Sequence, residues 1–143
     1  HPAFPVRRNS VRIRFFAVAL ALFATMSGPI AHAQAQGSVA NATFTANVVD
    51  GAPVDFRQQF TNTAPVLYYY GELLDLAGQT VRMRWSLEGK PMQETSVAVT
   101  SARQPSWSMM KMQPQWTGNW TVEVLDGKGQ VIDRGNFAFN PPL

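Results

Sequence analysis

Beyond residue 36 the chain alternates apolar and polar side chains with a period of two, broken by Gly and Pro about every ten residues. That rhythm predicts short strands with one face in a core and one in water, and it is too dense for helices or βαβ crossovers. The clearest stretch places Val81, Met83, Trp85 and Leu87 on one side and Arg82, Arg84, Ser86 and Glu88 on the other. A first strand is expected from Val39 to Val49 with Ala42, Phe44, Ala46 and Val48 inward, ended by Asp50-Gly51-Ala52-Pro53. Residues Arg57 to Ala64 show no apolar face and read as a connection between sheets. Further strands are expected from Val66 to Leu74, across Trp85, from Met92 to Thr100, and from Ser106 to Met112, the last with methionines on both faces. Trp120, Val122 and Val124 mark a sixth, and Asp126-Gly127-Lys128-Gly129 supplies the positive-φ residues that turn it into a seventh, Gln130 to Phe139. The prediction is an all-β fold, a single immunoglobulin-like antiparallel β-sandwich of about seven strands over residues 34–143. Trp85, Trp120, Val81, Val122 and Phe137 are its expected structural core.

Residues 1–33 follow another pattern. Arg7, Arg8, Arg12 and Arg14 precede an apolar run from Phe15 to Met26, followed by Ser27, Gly28, Pro29 and small residues. The run is too short to span a bilayer and has the length of a secretory h-region. Cleavage is expected after Ala33, with Ala35 as a second position. Val11 is a candidate start, which would set residues 1–10 before the true initiator. Arg7-Arg8 lacks the rest of a twin-arginine pattern, so export as an unfolded chain is expected. The expected destination is the bacterial periplasm or the exterior, with no stable membrane insertion once the signal is removed.

Cleavage changes the electrostatics. Four of the 12 Lys and Arg leave with residues 1–33 while all 9 Asp and Glu remain, so the formal charge falls from +3 to −1. The remaining cations are spread singly, which predicts no nucleic-acid partner. There is no cysteine, and both histidines, His1 and His32, lie in the expected signal. Ser-His-Asp and Cys-His nucleophiles and His/Cys zinc sites are therefore excluded from the exported chain. Neither a metal nor a cofactor is expected. Carboxylate pairs such as Asp50 with Asp55, or Glu72 with Asp75, leave a small carboxylate-dependent hydrolase as a remote alternative; turn formation and solvated charge are much the better account of them.

The aromatic residues are more informative. Trp107 and Trp116, with Arg84, Arg103 and an outward-facing Tyr68 or Tyr70, are candidates for a recognition surface, since Trp and Arg combine large contact area with a directed polar group. The competing reading makes the two Trp residues a cap over one end of the core. The leading expectation is a non-catalytic binding or assembly module of the cell envelope, with an envelope protein or a glycan as partner and no enzymatic activity. A carbohydrate-binding module using exposed Trp and Tyr is the closer alternative.

Several landmarks occur in order: Phe60-Thr61-Asn62-Thr63, Tyr70-Gly71-Glu72-Leu73, Leu76-Ala77-Gly78-Gln79-Thr80-Val81, Arg84-Trp85, Ser106-Trp107-Ser108 and Thr117-Gly118-Asn119-Trp120-Thr121. Together they resemble a bacterial exported family catalogued as domain of unknown function 2914, over about Phe44 to Phe139. The family pattern has His before Arg-Trp; here that position is Met83. The resemblance implies a small β-rich domain and supplies no catalytic residues.

Overall fold

The computed structural model describes residues 37–143. The expectations for residues 1–33, including the Val11 start and the signal cleavage site, lie outside the described residues.

The chain runs through β1 (Ser38–Thr45), β2 (Val48–Val49), β3 (Ala52–Pro53), β4 (Gln59–Thr61), β5 (Val66–Leu74), β6 (Thr80–Leu87), β7 (Lys90–Ala98), β8 (Arg103–Lys111), β9 (Gly118–Leu125) and β10 (Val131–Asn140). Three-stranded β1-β5-β8 faces five-stranded β4-β10-β9-β6-β7, and β2-β3 is a separate small hairpin. This is an all-β, immunoglobulin-like sandwich, and its seven long strands are β1 and β5 to β10.

Alternation explains the packing. On β6, Val81, Met83 and Trp85 are fully buried between the sheets, as are Trp120, Val122 and Val124 on the neighbouring β9, and Phe137 of β10 is buried beside them. The rings interlock: Trp85 meets Trp120 edge-on at 6.5 Å and Phe137 edge-on at 6.0 Å, while Trp120 stacks on Phe137 at 5.9 Å. A buried indole N–H needs an acceptor. Trp85 Nε1 donates across the sandwich to Ser108 Oγ of β8 at 2.9 Å, and Trp120 Nε1 to the Trp116 carbonyl at 2.9 Å.

Three details differ from the sequence expectation. The first strand stops at Thr45, and a register shift between Ala40 and Thr43, with Asn41 at φ 54°, moves its phase. Ala42 and Ala46 are consequently exposed, whereas Phe44 and Thr45 are both buried. The segment expected to be only a connection contains β4, whose buried Phe60 stands edge-on to Phe137 at 5.7 Å. Finally, β4 pairs with β10 in parallel, through Gln59 with Ala138 and Thr61 with Asn140, so the sheets are not wholly antiparallel.

Along one flank β1 approaches β10. A Cβ on Gly135 would lie 3.1 Å from the Phe44 ring, so the absence of a side chain permits this approach. A cleft of about 230 Å³ opens there between the sheet edges, with Tyr69, Asp133, Arg57 and Arg134 among its walls.

Candidate functional site

The outer surfaces of the two sheets differ in chemistry. On the five-stranded sheet, register places Glu94, Arg84, Glu123 and Arg134 in one row across β7, β6, β9 and β10. The row alternates in charge: Arg84 Nε donates to Glu94 at 3.1 Å, and Arg134 Nε donates to Glu123 at 3.1 Å. Arg84 and, beside it, Arg82 hold the Glu94 carboxyl below its usual range. Such exposed pairs each contribute little to stability, but they occupy the charges of that face with one another.

The three-stranded sheet presents aromatic and apolar groups instead. Opposed positions put Val66, Tyr68, Tyr70, Glu72 and Leu74 of β5 beside Lys111, Met109, Trp107, Pro105 and Arg103 of β8. Side chains two apart on paired strands share a face. Trp107 is 41% exposed and stacks on Tyr70 with ring centroids 6.4 Å apart and planes 14° from parallel. Met109 is 42% exposed. Farther along β8, beyond Pro105, Arg103 is ion-paired with Glu72.

A wall rises at the β1 side of this face. Asp50 (φ 54°) and Gly51 (φ 75°) make the two-residue turn between β2 and β3, the conformation for which Asp-Gly is favoured. The hairpin is fastened by Asp55, whose Oδ1 accepts from the Thr45 hydroxyl at 2.6 Å and from the Ala46 N–H at 3.0 Å, and whose Oδ2 accepts from Arg57 Nε at 2.8 Å. Burial opposes ionisation of Asp55, yet these donors outweigh it and hold the carboxyl below its usual range. Between the hairpin and β5 lies a groove of about 520 Å³, whose walls include Asn41, Thr43, Pro53, Phe56, Tyr70 and Glu72. Phe56 is 76% exposed, and Tyr70 only 5%. Hydrogen bonds from Arg103 and then Asn41 lower the Glu72 pKa; burial, and secondarily the Glu72 charge, raise that of Tyr70.

The structure thus gathers Tyr68, Tyr70, Trp107 and Arg103 on one face and separates the other two candidates from them. Arg84 lies on the opposite sheet. Trp116 follows β8, half-buried against Trp120 at 6.3 Å, where it caps the core. Phe56, Asn41 and Met109 join the site without having been singled out for it, because a turn, a bulge and a run of methionines carry no binding signal alone. Of the acids considered for catalysis, Asp55 is fastened as described, Glu72 is paired with Arg103, and Asp50 and Asp75 stand in turns with positive φ. Among the described residues no group of three or more acids is arranged to hold a metal.

Residues 78–139 match the model of a family described as Protein of unknown function (DUF2914). Over this stretch the chain is DUF2914-like. The DUF2914 match covers β6 to β10, hence Trp85, Trp107 and Trp120, as the resemblance in the sequence implied. It does not extend to the landmarks at Phe60 and Tyr70, so β5 and the β2-β3 wall of the groove fall outside the DUF2914 match. No curated protein matches the chain.

Proposed function

We propose that this chain is an exported, non-catalytic binding or assembly module of the bacterial cell envelope, periplasmic or secreted, which meets an envelope protein or glycan through the outer face of its three-stranded sheet. One observation carries the reading: Trp107 is held on a paired strand, stacked on Tyr70, and still exposed, with Met109 next to it. A ring fixed in place loses little conformational freedom on binding, and large apolar area kept in water on one face is characteristic of recognition surfaces. The opposite sheet presents instead the row of paired charges from Glu94 to Arg134. The apolar run at residues 15–26 after four arginines supports export.

Two measurements test this. Fractionation of cells producing the full chain is expected to recover it outside the cytoplasm, shortened by about three dozen residues at most. A photo-reactive amino acid at position 109 is expected to crosslink an envelope component in living cells, and the same group at Lys128, in the β9-β10 turn, is not. Cytoplasmic retention would end the envelope assignment. Equal labelling from both positions would end the assignment of the face.

A further inference from the structure

Tyr70 brings a phenol hydroxyl to the wall of the groove beside it. Tyr70 is 5% exposed as a residue, and it lines the groove. A hydroxyl on a groove wall can exchange a water for an oxygen of a ligand at little cost. The Tyr70 ring is already committed to Trp107, which leaves the hydroxyl as the polar function of the side chain.

The surroundings restrict what it could meet. Burial first, and the neighbouring Glu72 charge second, disfavour ionisation of Tyr70, so the phenol keeps its proton. Glu72 brings acceptor oxygens, Asn41 an amide that both donates and accepts, and Thr43 a hydroxyl. Phe56 on the hairpin supplies an exposed apolar ring on the other side. Charge is balanced: Glu72 is the acid among the groove-lining residues and is ion-paired with Arg103, which leaves no net charge to attract a cation or an anion. A ligand suited to these walls is neutral, has several hydroxyls on its edge, and has a C–H face to lay on aromatic rings, whose π-faces are negative. The volume is that of a small-molecule site.

Resting on the binding-module reading above, we infer that the groove walled by Asn41, Phe56, Tyr70 and Glu72 is a subsite for one unit of a neutral saccharide chain. The Tyr70 hydroxyl and the Glu72 carboxylate meet sugar hydroxyls, Phe56 covers the ring, and the chain continues over Trp107.

The test uses the exported protein as purified from producing cells, titrated calorimetrically with neutral tetrasaccharides of glucose (α- and β-linked), of N-acetylglucosamine and of mannose, with tetragalacturonate and tetralysine as charged comparators. At least one neutral probe is expected to bind, and neither charged probe. Tyr70→Phe is expected to weaken binding about 5- to 10-fold, the effect of one lost hydrogen bond, while the melting temperature stays level because the ring keeps its stacking on Trp107. Phe56→Ala, at an exposed position, is expected to weaken binding without unfolding, and Arg84→Ala to leave it unchanged. Failure of every neutral probe, preference for a charged one, or binding indifferent to both Tyr70→Phe and Phe56→Ala would overturn the inference. Crosslinking of position 109 to an envelope protein with no saccharide binding would overturn this inference alone; loss of both would remove the binding-module reading too.

Discussion

The Tyr69 hydroxyl donates to the Asp133 carboxylate at 2.7 Å, joining β5 of one sheet to β10 of the other across the flank where β1 approaches β10. The ring is buried, so the phenol is far harder to ionise than in water, and the Asp133 charge adds to that resistance. A group whose folded pKa is raised contributes stability that is present below its unfolded value, about pH 10, and is lost as the pH climbs through it. Tyr69→Phe is therefore expected to cost about 1 to 3 kcal/mol near neutral pH by leaving Asp133 without its donor. The same variant should lose less stability than the native chain between about pH 10 and 11.5. Urea denaturation across that range checks both, and parallel alkaline profiles would contradict the assignment.

Trp85 is the centre of the ring cluster, and Trp85→Ala is expected to cost about 3 to 5 kcal/mol. For a domain of this size that could exceed half of the folding free energy. Ser108→Ala removes the indole's acceptor while keeping the ring, and is expected to cost about 1 to 3 kcal/mol. A loss below about 1 kcal/mol for Trp85→Ala, measured by chemical denaturation, would place the ring outside the core.

Trp107 and Trp116 should separate in the same measurement. Trp107→Ala removes an exposed ring and is expected to cost less than about 1 kcal/mol. Trp116→Ala uncovers Trp120 and is expected to cost about 2 kcal/mol or more. Equal costs would show that the two residues share one role.

Acid behaviour follows from carboxylates held ionised. Asp55, Glu72 and Glu94 all have pKa values below their usual range in the folded chain. Lowered values contribute stability that is full above the unfolded carboxylate pKa, about 4, and is lost as the pH falls through the folded ones. Asp55→Asn is expected to flatten the acid limb of the stability profile and to make the β2-β3 hairpin more susceptible to proteolysis. An unchanged acid limb would mean that Asp55 does not fasten the hairpin.

The parts of the fold legible in sequence are those where alternation is unbroken. β6 and β9 each carry a run of apolar residues at every second position, and both occupy the middle of the larger sheet, where burial on one side enforces that pattern. β1 is obscured because the bulge at Asn41 shifts its phase and because Thr45, on the outer side, is buried beneath Asp55. β4 is three residues long and its partner lies at the far end of the chain, so no local signal announces it. The site divides similarly. Tyr70 and Trp107 stand out as aromatics in strands, but their adjacency depends on a register between β5 and β8, and Phe56 reaches the groove only because Asp55 folds the hairpin back. Arg84 and Trp116 resembled site residues by type alone; one is on the other sheet and the other is a lid on Trp120.

The parallel pairing of β4 with β10 bears on how the domain responds to tension. A pull applied at the N-terminal side of Gln59 and the C-terminal side of Asn140 draws two parallel neighbours in opposite directions. Their hydrogen bonds are then loaded together in shear, whereas an antiparallel hairpin such as β9-β10, pulled from its open end, would peel one bond at a time. Phe60, wedged edge-on against Phe137, must leave the core before these strands can slide. Extension by an optical trap through those two ends is therefore expected to meet its main resistance at this short contact, where the rate of rupture, not the equilibrium stability, decides how long the sandwich survives a steady load.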